Sequence, residues 1–140
     1  MTRYFTNNLT ITNLHKKPSI KSEVVTQMIY GDSFSISKKS KKWLKIKIKE
    51  DGYSGFIKNR EFPKFLKPTH KVNVLKSNVY KIQNEKKKIG QISFGSKIKV
   101  TENKKKFLRF SKGWINKNDV KPIGFKETSP FRKIFIFKNI

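Results

Sequence analysis

Three lysine runs are the residues of this chain whose type and spacing could bind an anion. The runs are Lys38-Lys39-Ser40-Lys41-Lys42, Lys86-Lys87-Lys88 and Lys104-Lys105-Lys106. Clustered ammonium groups attract phosphate or carboxylate, so they are typical of surfaces that face nucleic acid or an anionic polymer. Like charges also cost least in a solvated loop, so a plain surface rim explains the same runs. Both interpretations stay open. The anion-binding interpretation predicts that a polyanion contacts Lys38, Lys39, Lys41, Lys42, Lys104, Lys105 and Lys106.

The overall composition bears on that choice. The 140 residues contain 34 Lys plus Arg against 9 Asp plus Glu, a net charge of +25. Only 4 of the basic residues are Arg, so the bidentate contacts that read phosphate or guanine are scarce. Lys, Ile, Asn and Phe are also the residues that an AT-rich genome favours. The charge attracts anions whether it was selected or reflects composition alone.

Several classes of chemistry are excluded by what the sequence lacks. With no Cys, the chain has no disulfide, no thiolate metal site and no cysteine nucleophile. His15 and His70 have no local set of carboxylate partners, so we predict no metal site, no cofactor and no catalytic residue. No apolar run has the length of a signal peptide or a membrane span, which predicts a cytoplasmic protein without membrane insertion.

The elements that carry these residues are short strands. Apolar and polar residues alternate over Ser33–Ser37, Leu44–Lys49 and Lys97–Val100, the period of a half-buried strand. Turn signals separate these segments at Gly31-Asp32, Asp51-Gly52 and elsewhere. The chain also has no Ala, the best helix former, and many Ile, Phe and Thr residues. The prediction is an all-β protein built of small barrels.

The strand pattern occurs twice. Gly31 precedes Trp43 by twelve residues, Gly95 precedes Phe107 by the same interval, and each copy then ends on Gly, an aromatic residue and Ile. The second copy lacks the hairpin extension that contains Tyr53. We therefore predict two small barrels in tandem, with the following boundaries: an N-terminal tail 1–8, a first barrel 9–62, a Pro-bounded linker 63–70, a second barrel 71–123 and a C-terminal tail 124–140.

The first copy resembles a known family. Its strings Thr26-Gln27-Met28-Ile29-Tyr30-Gly31-Asp32 and Asp51-Gly52-Tyr53-Ser54-Gly55-Phe56 resemble bacterial SH3 (SH3b) domains. More narrowly, they resemble the first of two SH3b domains that precede the catalytic domain of NlpC-type cysteine peptidases. The string Pro68-Thr69-His70-Lys71-Val72 resembles the start of the second domain. The resemblance covers residues 9–123 and implies two SH3-like barrels.

The resemblance also implies a substrate. NlpC-type peptidases cut murein peptides after γ-D-glutamate, and their first SH3b domain helps to recognise the free amine of the peptide. By motif position, the carboxylate and phenol for this task would be Asp32 and Tyr53. A turn residue that bonds its own backbone is the plainer interpretation of Asp32, and packing in the barrel core or in the hairpin is that of Tyr53. The nearby Glu50 is expected to be solvated.

Two functions compete at this stage. The first is a non-catalytic SH3b module that recognises murein peptides, with a catalytic peptidase domain as a separate or lost partner. Under it, the chain is a gene fragment, a truncated reading frame or a stand-alone accessory protein. The second is a basic small-barrel protein that binds nucleic acid or another anionic polymer without specificity. The family strings favour the first function, and the charge favours the second.

Overall fold

The computed structural model describes residues 2–125, and it divides the chain into two compact units. Unit 1 is Met1–Leu66 and unit 2 is Lys67–Ile140. Between residues 2 and 125 the chain forms antiparallel strands and one 3-10 turn at Lys117–Asp119, with no α-helix. The predicted all-β, SH3-like fold class is therefore confirmed. Within the same residues, no helix is long and apolar enough to cross a membrane.

Unit 1 is one six-stranded antiparallel sheet with the order β1-β4-β5-β6-β2-β3. Each hydrogen-bonded neighbour runs in the opposite direction. The strands are β1 (Phe5–Thr6), β2 (Ile11–His15), β3 (Val24–Ile29), β4 (Ser33–Lys39), β5 (Trp43–Ile48) and β6 (Ser54–Lys58).

The alternation in β5 shows why this sequence forms a strand with one buried face. Leu44, Ile46 and Ile48 are at most 1% exposed, whereas Lys45 is half-buried and Lys47 is exposed on the opposite face. Phe34 of β4 is fully buried beside them, with the ring of Phe62 edge-on at 4.9 Å. Burying each such side chain stabilises the fold by roughly 1.5–3 kcal/mol. The predicted core face of β4 and β5 is thus present in the structure.

The predicted N-terminal tail differs in the structure. Phe5 pairs with Phe34, so the tail contributes strand β1 to the sheet of unit 1. Asn7 is fully buried, and its side-chain amide donates to the carbonyl oxygens of Leu9 and Ile29 at 3.1 and 3.0 Å. No apolar alternation marks this segment, because its place in the unit depends on the hydrogen bonds of a buried polar residue.

Unit 2 contains two antiparallel sheets. The five-stranded sheet has the order β11-β12-β13-β8-β9, and the three-stranded sheet has the order β10-β7-β14. The strands are β7 (His70–Val72), β8 (Lys76–Tyr80), β9 (Lys88–Ser93), β10 (Lys97–Ile98), β11 (Glu102–Lys104), β12 (Phe107–Phe110), β13 (Gly113–Asn116) and β14 (Val120–Pro122).

Both ends of the predicted linker 63–70 are themselves part of the units. The Thr6 amide donates to the Pro63 carbonyl at 2.9 Å, and the Phe65 amide donates to the Tyr4 carbonyl at 3.0 Å. Strand β7 already begins at His70. The division between the units falls at residues 66 and 67, inside the predicted linker. Of the predicted C-terminal tail, residues 126–140 lie outside the described residues.

Two glycine turns hold equivalent places in the two units. Gly31 and Gly95 have φ values of 89° and 85°, a left-handed conformation that favours glycine. The Gly31 amide donates to the Asn7 carbonyl at 2.8 Å, and the Gly95 amide donates to the Val72 carbonyl at 3.0 Å. Because these bonds match, Asp32 in unit 1 and Ser96 in unit 2 occupy equivalent positions after their turns.

Candidate functional site

Asp32 follows the Gly31 turn and leads into β4. Its Oδ2 accepts a hydrogen bond from the Ile29 amide at 2.9 Å, and its own amide donates to the Ile29 carbonyl at 3.2 Å. Its carbonyl accepts from the Asn7 amide at 2.8 Å. The carboxylate is half-buried and fixed in direction by its own turn. A carboxylate can accept several hydrogen bonds at once, so this anchoring is compatible with ligand contact.

Tyr53 lies in the turn between β5 and β6. Its amide donates to Oδ1 of Asp51 at 2.9 Å, and its carbonyl accepts from the Ile48 amide at 2.8 Å. The positive φ of Gly52, 76°, lets the chain reverse at this point. The Tyr53 side chain is 59% exposed, so barrel-core packing does not account for it.

Hydrogen bonds place Asp32 and Tyr53 at the same end of the interior strands β4, β5 and β6 of unit 1. The Lys49 amide donates to the carbonyl of Ser33, the residue after Asp32, at 2.8 Å. Glu50 adds a second link, because its carboxylate accepts from the Ser33 amide at 2.9 Å and from the Ser33 hydroxyl at 2.7 Å. This structural role of Glu50 is not legible in the sequence, since only the fold brings its turn against the start of β4.

Unit 2 has no counterpart of Asp32 and Tyr53 at the equivalent turns. Ser96 stands where unit 1 has Asp32, and it is fully buried. Phe110 pairs directly with Gly113, so a two-residue turn joins β12 to β13 and leaves no counterpart for Tyr53. Among the described residues, a carboxylate directly after the glycine turn and an exposed phenol in the later turn therefore occur together in unit 1 alone.

The first predicted polyanion segment comprises the end of β4 and the turn that leads into β5. Lys38, Lys39, Lys41 and Lys42 are all exposed. The Ser40 hydroxyl accepts from the Trp43 amide at 3.1 Å and thereby holds the turn. A bulge between Ile36 and Lys38 places Lys38 directly opposite Lys45, a like-charge pair that weakens a sheet.

The second predicted polyanion segment forms the turn between β11 and β12. Lys104 pairs with Phe107, so Lys105 and Lys106 are the two turn residues. Lys105 has a φ of 54°, a conformation that costs a residue other than glycine about 1–2 kcal/mol. Lys104, Lys105 and Lys106 line a depression of about 630 Å³ together with Gln83 and Phe107. Lys106 also forms an ion pair with Glu85 at 3.3 Å.

Unit 1 has a concavity of a different character. Its volume is about 210 Å³, and neither Asp32 nor Tyr53 lines it. Trp43 contributes to one side, with the His15 ring edge-on at 5.9 Å. The Arg60 guanidinium lies 4.6 Å from the centre of the Phe62 ring on another side. The lining residues are Leu9, Ile11, Thr12, Asn13, His15, Ile20, Trp43, Ile57, Lys58, Arg60 and Phe62.

Two titratable groups of unit 2 have shifted pKa values. Burial raises the pKa of the Asp119 carboxyl, the Ser77 hydroxyl that donates to it at 2.7 Å lowers this pKa, and the charge of Glu85 raises it again. Burial lowers the pKa of His70, whose Nδ1 lies 2.8 Å from the Thr69 hydroxyl. Between residues 2 and 125, no group of three His, Asp or Glu residues is arranged to hold a metal ion.

Comparison with known families bears directly on unit 1. Residues 14–61 match the family model described as the bacterial dipeptidyl-peptidase SH3 domain. The predicted resemblance is confirmed, and the matched residues include both Asp32 and Tyr53. An SH3b domain is a non-catalytic module. No curated protein sequence matches the chain significantly.

Solved structures show a similar fold. An NlpC/P60 family protein from Bacillus cereus ATCC 10987 matches with a TM-score of 0.67 and 14% sequence identity. The match covers 86% of this chain and 56% of that protein, so the chain spans about half of that protein's length. At this identity the likeness shows the fold alone.

Two further structures are less similar. NlpC2 from Trichomonas vaginalis has a TM-score of 0.36 and 11% identity, over 89% of this chain and 48% of that protein. NlpC1 from the same organism has a TM-score of 0.36 and 10% identity, over 91% and 48%. A TM-score of 0.36 is too low to indicate a shared fold over the whole matched length.

Proposed function

We propose that the chain is a non-catalytic module that recognises murein peptides through unit 1. In this proposal, the Asp32 carboxylate pairs with the free amine of the peptide, and the Tyr53 phenol bonds to the peptide and forms one wall of the site. A carboxylate matches an ammonium group in charge and in hydrogen bonding, and a phenol can donate and accept. The cleavage chemistry belongs to a cysteine nucleophile, which none of the 140 residues supplies.

One observation carries the proposal: the unit that matches the dipeptidyl-peptidase SH3 family has Asp32 and Tyr53 at the same end of its interior strands β4, β5 and β6. The exposure of Tyr53, 59%, supports a contact role, because a residue selected for packing would be buried. The anchored carboxylate of Asp32 also supports it, since a ligand that binds a fixed group loses less conformational entropy. Because the described part of unit 2 has neither group at the equivalent positions, the proposal assigns recognition to unit 1.

An NMR titration of the full chain with a free-amine murein peptide tests the proposal. The backbone amides of Asp32 and Tyr53 should shift, and N-acetylation of the peptide should weaken binding roughly ten- to a hundred-fold. Acetylation removes a charge-assisted hydrogen bond worth about 1.5–3 kcal/mol and leaves most of the ligand's shape. Equal shifts with the free and the acetylated peptide would overturn the proposal.

Two substitutions sharpen the titration. Asp32→Asn keeps an oxygen that can accept from the Ile29 amide but removes the negative charge, so it should reduce affinity as much as acetylation does. Asp119→Asn in unit 2 makes the same chemical change away from the site and should leave affinity unaltered. If the two variants weaken binding equally, the carboxylate of unit 1 has no special role.

An activity assay tests the non-catalytic part separately. Without Cys, the chain cannot form the thioester of a cysteine peptidase. Incubation of the purified protein with murein peptides should release no L-Ala-γ-D-Glu above a control without protein. Release that persists after repurification and follows the protein through chromatography would contradict this part of the proposal.

A further inference from the structure

We propose that unit 2 binds the phosphate backbone of double-stranded nucleic acid through a lysine surface that two loops form together. The first loop joins β8 to β9, and the second is the turn between β11 and β12. The surface, named here the two-loop surface, comprises Lys81, Lys86, Lys87, Lys88, Lys104, Lys105 and Lys106. This surface of unit 2 is distinct from the Asp32 and Tyr53 site of unit 1 that is proposed for murein peptides.

Two contacts join the loops, which are distant in sequence. The Lys106 ammonium lies 3.3 Å from Oε1 of Glu85, which directly precedes the run Lys86–Lys88. Beneath the loops, the rings of Tyr80 and Phe107 meet edge-on at 5.9 Å between their centres. Tyr80 ends β8 and Phe107 begins β12, so this ring contact links the bases of the two loops across β13, the strand that lies between β8 and β12.

The charge of this surface is strongly one-sided. All seven lysines are exposed, and Glu85 is the single acidic residue on the two loops. Lys104, Lys105 and Lys106 line a concave depression with Gln83, so a ligand there would meet several ammonium groups at once. Such convergence raises the local potential well above that of evenly scattered lysines.

Local hydrogen bonds fix the shape of the first loop, and backbone conformation defines the second. In the first loop, Oδ1 of Asn84 accepts from the Lys86 amide at 2.9 Å, and the Lys81 amide donates to the Lys87 carbonyl at 2.8 Å. In the second, Lys105 takes the left-handed conformation that glycine or asparagine adopts more readily. Lys105 thus holds a positive charge at a strained turn position in the middle of this surface.

The chemistry of the surface favours a duplex over a single strand. Phe107 and Tyr80 are 4% and 6% exposed, and the loops contain no other aromatic residue, so no ring is available to stack on bases. A duplex presents one phosphate charge per about 1.7 Å of its axis, twice the density of one strand. Lysine acts as a point charge rather than a base reader, so binding should be independent of base sequence.

The test is fluorescence anisotropy with a fluorescein-labelled DNA duplex of mixed sequence and the full chain, over a range of salt concentrations. The triple variants K86Q/K87Q/K88Q and K104Q/K105Q/K106Q each remove three positive charges. The matched control K64Q/K67Q/K76Q removes three exposed lysines outside the two loops. Circular dichroism of every variant verifies that it is folded.

The proposal expects a specific pattern of salt dependence. Each loop variant should flatten the slope of log affinity against log salt by up to about 2.7, because each neutralised phosphate contributes about 0.9. The control variant should flatten the slope by less than half as much. The variant K86R/K87R/K88R, which keeps the charges, should retain the original slope.

Three results would overturn the proposal. Equal flattening in the control and the loop variants would reduce the effect to net charge. Equally strong competition by poly-L-glutamate and by the unlabelled duplex would identify carboxylate polymers as ligands of the same standing. Tighter binding of a single strand than of the duplex would indicate base contacts that the two loops do not supply.

Discussion

The two units share one turn geometry but differ in what they build on it. In both, a glycine with φ near 90° bonds back to an earlier segment, at Asn7 in unit 1 and at Val72 in unit 2. Unit 1 continues with Asp32 and an extended turn that exposes Tyr53, whereas unit 2 continues with the buried Ser96 and a two-residue turn. The shared scaffold sets the fold, and the residues after each turn determine which ligand chemistry is available.

The concavities of the two units differ in the same way. That of unit 1 is lined largely by apolar and aromatic side chains, including Trp43 and Phe62, with Arg60 and Lys58 beside them. That of unit 2 is lined by Lys104, Lys105 and Lys106 together with Gln83 and Phe107. The two units thus differ in the chemistry of their concavities, one largely apolar and the other rich in ammonium groups.

The largest expected effect tests whether the two cores are energetically separate. Phe34→Ala removes a fully buried ring from unit 1 and should cost about 3–5 kcal/mol, enough to unfold a domain of this size. Ile98→Ala should cost about 2–5 kcal/mol in unit 2. The NMR amide spectrum should lose dispersion only in the unit that carries the substitution. Simultaneous loss in both units would show that they unfold together.

A glycine substitution should give the next largest effect. A Cβ at Gly113, whose φ is 145°, would overlap the Tyr80 carbonyl oxygen, so Gly113→Ala should destabilise unit 2 by about 1–3 kcal/mol. At Gly90 in β9, an added Cβ would have no other atom within 4 Å, which makes Gly90→Ala the matched control. Urea denaturation should show the control at least as stable as the parent protein, since Ala loses less entropy than Gly in a strand. Equal destabilisation by both substitutions would contradict the steric explanation.

The comparison of the lysine loops predicts a smaller change in binding. Neutralising Lys38, Lys39, Lys41 and Lys42 in unit 1 removes more charge than either triple variant of unit 2. It should nevertheless lower duplex affinity less than tenfold, under about 1.4 kcal/mol, and equally for all base sequences. Anisotropy with two duplexes of different sequence measures this. A greater loss of duplex affinity than with the unit 2 variants would show that the main anion-binding surface lies in unit 1.

The smallest effect concerns Asp119. Its folded-state pKa is raised, chiefly by burial, so its contribution to stability is full below the usual Asp pKa of 3.8 and decreases as pH rises through the folded-state pKa. Asp119→Asn retains an oxygen that can accept from Ser77 and removes the buried charge. The variant should match the parent protein at low pH and exceed its stability by a few tenths of a kcal/mol at neutral pH, on the order expected for a half-buried carboxyl. Thermal unfolding at both pH values measures the difference, and a less stable variant at neutral pH would contradict the sign.

The sequence was informative where a local pattern has one physical meaning. The alternation of Leu44, Ile46 and Ile48 predicted a strand with one buried face, and these three side chains are buried. The spacing of Gly31 and Gly95 before Trp43 and Phe107 predicted a repeat, and the two turns have matching backbone bonds. Such features depend on residues that are close together in the chain, so they can be predicted from the sequence alone.

Features that depend on distant partners could not be predicted in this way. Strand β1 and the buried Asn7 were expected in a tail, because their bonds run to residues far along unit 1. The run Lys86–Lys88 was not connected with Lys104–Lys106, because only the fold brings Glu85 to Lys106. The candidates Asp32 and Tyr53 came from a family resemblance. That they lie at the same end of strands β4, β5 and β6 follows only from the hydrogen bond between Ser33 and Lys49.

The closure of unit 1 by its own two ends has a consequence for folding during synthesis. Strand β1 meets β4 through only two residue pairs, and Tyr4 and Thr6 are further held by Phe65 and Pro63. Contacts between segments so far apart in sequence form late, because the loop entropy must be overcome first. A nascent chain that has not yet emerged as far as Pro63 would therefore expose the edge of β4. Such an edge can pair with other chains, so docking of Pro63–Phe65 also protects unit 1 against association during folding.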